Sequence, residues 1–217
     1  TLETHLLGNH IFANSKALLF AGLYFKGAEA DQWLARALNL MAREIPEQIL
    51  EDGGNFELTP MYHATITADL LDIVSLLHSY QDDRFSWLDK ECKKRLHKML
   101  QWLAVMTHSD GYVSLFNDAA IDIAPTLAQL VLTAKAYDVA LPSVNQGTLT
   151  HLKASGYFRL NLEGAVLIGD IGCIGPDYIP GHAHADTLSF ELSLFGQRLI
   201  VNSGKGSFSF NTTALLP

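Results

Sequence analysis

"SVNQGTLTHLKASG", residues 143–156, is the stretch at which the texture of the chain changes. Upstream, "NSKALLFAGLYFKG" (14–27), "AEADQWLARALNLMAREI" (28–45), "PMYHATITADLLDIVSLLHSY" (60–80), "RFSWLDKECKKRLHKMLQWLAVMTHSD" (84–110) and "APTLAQLVLTAKAYDV" (124–139) each carry apolar residues at three- and four-residue spacing, the mark of consecutive helices. Asn14 or Ser15 can cap the first, and Pro60 and Pro125 stand where a first-turn proline is tolerated. Short connections predict antiparallel neighbours, as in a toroid of helical hairpins. Downstream, "GYFRLNL" (156–162), "AVLIGDIG" (165–172), "TLSFELSLF" (187–195), "QRLIVNSG" (197–204) and "GSFSF" (206–210) read as antiparallel strands, with "LSFELSLFGQRLIV" a hairpin turning near Gly196. Helices followed by strands define an α+β chain. Residues 1–145 are expected to form the helical domain and 155–217 the start of a β-domain, incomplete because too few strands follow to close a sandwich.

The bulk numbers remove several classes. The chain has 217 residues, 48% of them hydrophobic and 18% charged, a globular rather than a disordered profile. A net charge of −8 and the lack of a long Lys/Arg cluster argue against nucleic acid as a partner. The apolar run "ALLFAGLYF" (17–25) is ended by Lys26 and Gly27, so no membrane span is expected. Cys92 and Cys173 have no CxxC or zinc-type spacing and read as two unpaired, semi-buried thiols. Compartment and oligomeric state stay open, a periplasmic or secreted setting being the expectation.

Three clusters join His, Tyr or Asn to a helix start or a glycine-rich loop: Gly8 to Asn14, Glu51 to His63, and Gly175 to Asp186. Each has a plain structural reading. Asn9 can cap a helix with His10 on the surface; Tyr62 can be an amphipathic core-edge residue; Glu57 can favour a helix N-terminus. His182 and His184 are harder to absorb, because residues i and i+2 of an extended segment point the same way and can hold one metal or one substrate. Neither HExxH nor a cysteine-rich ligand set is present, nor GxSxG, nor GxxxxGK[ST].

In their order and setting the three clusters resemble the heparinase II/III family of polysaccharide lyases: "GNHIFAN" its Asn-His helix start, "GGNFELTPMYH" the loop into its catalytic Tyr, and "PGHAHADTLSFELSLFGQRLIVNSG" its His-containing β-segment. The resemblance implies an N-terminal (α/α) toroid followed by an antiparallel β-sandwich, and β-elimination on a uronic-acid polysaccharide, an anionic partner. It implies Tyr62 as the proton-transferring tyrosine, Asn9 or His10 as the group meeting the uronate carboxylate, and His182 as the catalytic histidine. Glu57, His63 and Tyr178, from the same clusters, are the candidate substrate-binding groups. His184 falls at the metal-ligand position of some members; no cofactor is required, and zinc is the one candidate. Metal-binding relatives place an aspartate near the end of the next strand, where this chain has Asn202, and a neutral amide is a poor zinc ligand. The rival readings are a non-catalytic polysaccharide-binding or exopolysaccharide-biosynthesis protein on the same scaffold, and a metal-dependent glycan hydrolase.

Overall fold

The structure is a computed structural model that describes residues 7–143 and 148–205. Five helices come first: α1 (Asn9–Tyr24), α2 (Ala28–Gln48), α3 (Pro60–Tyr80), α4 (Ser86–Val105) and α5 (Leu127–Ala136). They bury one continuous apolar cluster, with Phe12, Met41, Leu70, Leu100 and Leu130 drawn from all five. None is long and apolar enough to cross a membrane. Gly22 lets α1 and α2 close on each other, since a Cβ there would lie 2.7 Å from the Leu34 backbone nitrogen.

The first helix starts earlier than the capping signals indicate. Neither Asn14 nor Ser15 caps it: both lie inside α1, and the buried Ser15 hydroxyl donates to the Ile11 carbonyl. The cap comes from elsewhere in the chain, because the Glu57 carboxylate accepts the Asn9 N–H at 2.8 Å, an arrangement invisible to local sequence. Pro60 opens α3 as expected, whereas Pro125 lies outside α5, whose Thr126 forms a capping box with Gln129.

The strands β1 (Leu149–Leu152), β2 (Tyr157–Leu162), β3 (Ala165–Asp170), β4 (Phe190–Leu194) and β5 (Gln197–Ile200) form an antiparallel meander in chain order. β1 lies within the stretch read as the boundary, so pairing begins before residue 155. The β4–β5 hairpin turns at Phe195 and Gly196, whose φ values of 49° and 82° are those a type I′ turn demands. The expected strand 206–210 lies outside the described residues. The segment 171–189 between β3 and β4 carries His182 and His184 and is built of turns and bends rather than the extended backbone expected of it.

The sheet sits against the helices through a second apolar cluster: Leu58, Trp102, Val105, Met106 and Phe116 meet Leu152, Tyr157 and Ile168. Trp102 is its centre. Its ring lies edge-on to Tyr157 at 5.7 Å, and its indole N–H donates to the Ser155 hydroxyl at 2.8 Å. Asp52 in turn accepts both the backbone N–H and the hydroxyl of Ser155. The thiols are not alike, contrary to expectation: Cys92 is buried in the helical core and Cys173 is exposed. Trp102→Ala should lower unfolding free energy by about 3–5 kcal/mol, read as a shift of the urea midpoint.

Candidate functional site

The site forms where α3 begins and the β3–β4 segment folds down onto it. Leu58 takes a left-handed backbone (φ 56°), and its carbonyl accepts from both the Tyr157 hydroxyl at 2.7 Å and the Asn117 amide at 2.9 Å. Such a conformation costs a leucine energy that its surroundings must supply. The result is a fixed approach to α3, with Glu57 on one side of the bend and Tyr62 in the first helical turn.

Tyr62 and His182 are brought into ring contact, their centroids 4.0 Å apart and their planes inclined by 37°. The imidazole lies between two carboxylates: Nδ1 is 3.0 Å from Asp118 Oδ2, and Nε2 is 3.3 Å from Glu57 Oε2. The second contact lacks hydrogen-bond geometry, so Glu57 Oε2 is a buried oxygen without a hydrogen-bond partner. His184 reaches the other oxygen of Asp118 through Nε2 at 3.0 Å. His182 and His184 thus converge, as their spacing suggested, but on a carboxylate that sequence reasoning had not singled out.

Glu57 joins α1 to this group. Its other oxygen holds the Asn9 N–H, and Gly8 is required beside it, because Gly8 has φ +63° and a Cβ there would fall 2.1 Å from Glu57 Oε1. Burial raises the Glu57 carboxyl above its ordinary range, opposed by the Asn9 N–H and by charge on His182 and His10. Burial also raises the Tyr62 phenol, reinforced by Asp118 and Glu57. For Asp118, burial acts upward but is outweighed by the hydrogen bonds from His182 and His184 and by nearby Lys205, leaving it below the usual range. Asn9 and the exposed His10 therefore join Tyr62 and His182 around Glu57.

Two candidates fall elsewhere. His63 is fully buried and does not reach the cleft: its Nδ1 accepts the Asn55 N–H at 3.1 Å, its Nε2 lies 3.0 Å from the Met99 carbonyl, and its ring covers Trp102 at 4.3 Å. Alternation around the helix turns Tyr62 outward and His63 inward, so adjacency in sequence does not mean a shared surface. Tyr178 is exposed, donates its hydroxyl to Glu47 at 2.7 Å, and lines a neighbouring cleft of about 680 Å³ with Phe56, His151, Lys153 and Cys173. Its phenol is pushed well up, by burial first and then by Glu47.

As to metal, no three His, Cys, Asp or Glu side chains among the described residues are arranged to hold an ion. His184 is engaged with Asp118, and the Asn202 amide donates to Ser189 at 3.0 Å. The donor set does not fit zinc.

A helical layer with an antiparallel sheet across one end is also the arrangement found among solved structures. Heparinase III aligns with a TM-score of 0.74 at 20% identity, covering 91% of this chain and 35% of that one. Heparan sulfate lyase HepC from Pedobacter heparinus gives 0.70 at 20% identity, covering 94% and 34%. The fold is therefore that of the toroid and β-sandwich proteins, of which this chain spans about a third. The family model described as Heparinase II/III N-terminus matches residues 3–138, and that described as Heparinase II/III-like, C-terminal, matches residues 145–213. The chain belongs to the heparinase II/III family. Among curated relatives, a heparin-sulfate lyase of Bacteroides stercoris is 30% identical over 118 residues, 52% of this chain and 17% of its own length. One from Pedobacter heparinus is 28% identical over 127 residues, 55% and 18% respectively.

Burial holds the His63 imidazole down to about 4, against an ordinary value near 6.5, with the Met99 carbonyl and Asp52 acting weakly the other way. The unfolded chain therefore takes up this proton first. The stability due to neutral His63 is complete above pH 6.5 and is lost as pH falls toward 4, by up to about 3 kcal/mol. His63→Phe should be less stable at pH 7, having left the Asn55 N–H unpaired, yet its urea midpoint should fall less steeply between pH 6.5 and 4 than that of the parent.

Proposed function

We propose that this chain provides the active site of a polysaccharide lyase that cleaves a sulfated, uronic-acid-containing chain by β-elimination. The observation that carries the reading is the Tyr62 phenol stacked on a His182 imidazole held by carboxylates. Membership of the heparinase II/III family and the names of the heparin-sulfate lyase relatives support the substrate class.

Elimination breaks the C5–H and C4–O4 bonds of a uronate and leaves a C4=C5 double bond. The C5 proton is weakly acidic, so the adjacent carboxylate must be neutralised, a base must stand at C5, and an acid must meet O4. The side chains of Asn9 and His10, in the positively polarised first turn of α1, take the uronate carboxylate. Tyr62, its phenol raised rather than lowered, keeps its proton at neutral pH and gives it to the departing O4. His182 accepts the C5 proton, with Asp118 accepting from Nδ1–H so that the lone pair is on Nε2, which lies 3.3 Å from Glu57 Oε2 without a hydrogen bond to it and must turn toward the sugar when substrate enters. Glu57 is buried behind the imidazole and serves to place Asn9 and His182 rather than to touch sugar. No step uses a metal ion.

The test is ultraviolet absorbance of the full-length protein against heparan sulfate, hyaluronan, alginate and bacterial exopolysaccharides. A rise on one substrate reports the unsaturated uronate. Tyr62→Phe should reduce it by about 10²- to 10⁴-fold while circular dichroism is unchanged; turnover at the parent rate would remove Tyr62 from the mechanism. Incubation with a chelator should leave the rate intact. Loss of activity on chelation with a saturated product would indicate a metal-dependent hydrolase, and binding without any product the non-catalytic alternative.

A further inference from the structure

The loop between α4 and α5 contributes a residue that none of the three clusters contains. Asp118 is the point at which the two histidines of the β3–β4 segment meet: Oδ2 takes His182 Nδ1 and Oδ1 takes His184 Nε2, both at 3.0 Å. Its side chain is 15% exposed, and Lys205 Nζ stands 3.9 Å away. The carboxylate cannot easily be elsewhere, because its neighbour Asn117 is fixed on every side. The Asn117 N–H donates to Asp186 at 2.5 Å, its amide donates to the Leu58 carbonyl, and its Oδ1 accepts the His184 N–H at 2.9 Å. Asn117 also adopts φ 54°, a left-handed backbone that asparagine accepts more readily than most residues.

We infer that Asp118 is the positioning residue of the site, the carboxylate that fixes the tautomer and the ring plane of His182 and anchors the His182–His184 segment over Tyr62. The chemistry is that of any imidazole acting as a base: a hydrogen-bonded carboxylate on one nitrogen holds the proton there and leaves the other as the acceptor, and of the two carboxylates beside His182 only Asp118 makes that bond, Glu57 Oε2 lying 3.3 Å from Nε2 without one. A bond from His184 to the same carboxylate adds a second point of attachment, so the segment is held against rotation as well as translation. Its net position below the usual carboxylate range accords with a group that stays ionised to do this. The inference rests on the lyase reading for its consequence but not for its geometry.

The experiment compares the full-length protein with its Asp118→Ala and Asp118→Asn variants. In ¹⁵N-edited spectra, with the His182 signal assigned through His182→Gln, the parent should show the Nδ1–H tautomer and Asp118→Ala should shift toward Nε2–H. On the substrate identified by absorbance, Asp118→Ala should lose at least about 10²-fold in kcat with KM changed less than threefold, and added formate should restore part of the rate by refilling the carboxylate's place. Asp118→Asn, which keeps one acceptor, should fall between. An unchanged His182 tautomer in Asp118→Ala overturns the inference whatever the activity, as does a loss of rate that follows a lowered Tm and that formate does not relieve. A tautomer shift in a protein that eliminates no substrate supports the positioning role and instead removes the lyase reading.

Discussion

Asn117 ties together three segments that are distant in the chain. Through its N–H it holds Asp186, through its amide the Leu58 carbonyl, and through its amide oxygen the His184 N–H. Those contacts join the approach to α3, the loop after α4 and the segment between β3 and β4. Tyr62, Asp118 and His182 each sit within a few residues of one of them. Because the amide is buried, each unmade bond would carry a desolvation cost on the order of 1–3 kcal/mol, which is why three irregular stretches hold one geometry. The left-handed backbones at Leu58 and Asn117 are sustained by the same contacts.

The helix-facing side of the sheet mixes the apolar Leu152, Val166 and Ile168 with an unusual number of polar groups. Beside those three it carries Tyr157, Arg159, Asp170, Glu191 and Ser193, whereas the other face presents Phe158, Leu160, Leu162, Phe190 and Leu192. Polar groups on the helical side are matched one by one. Buried Glu191 faces His108 Nε2 at 2.8 Å and accepts the N–H groups of Leu115 and Asn202, while Ser193 meets His108 Nδ1 at 2.7 Å. Arg159 caps the end of α4 by donating to the Val105 and Thr107 carbonyls. A network so fully paired gives the junction one register, since any slip would bury unpaired charge. The outer face, with Leu162 and Phe190 exposed, is what one layer of a sandwich presents to the other.

Within the cleft, charge explains the assignment of roles better than residue type does. Burial first, and then the negative surrounding made by two carboxylates beside one imidazole, raises the Tyr62 phenol and keeps its proton in place, as the proposed acid role requires. Neither charge stands free in the cleft: Glu57 is buried, and Asp118 is engaged by two histidines. Under the proposed lyase reading, the groups left to meet a substrate carboxylate are then Asn9, His10, Tyr62 and His182.

The sequence by itself determined the order of helices and strands, the β4–β5 turn and the start of α3 at Pro60, because periodicity and turn chemistry are properties of neighbouring residues, and its local motifs singled out Tyr62, Asn9, His10, His182 and His184 as candidates. It could not separate His63 from Tyr62, since only the rotation of α3 in its bundle turns one ring into the Trp102 core and the other into the cleft. It could not find the cap of α1, the Glu57 carboxylate that accepts the Asn9 N–H from 48 positions away. Nor could it mark Asp118 or Asn117, two ordinary loop residues in "LFNDAA" whose meaning arises from partners 64 to 69 positions later. Those contacts are decided by tertiary structure because a hydrogen bond depends on where atoms lie, and chain-distant groups are placed only by the packing of helices against sheet.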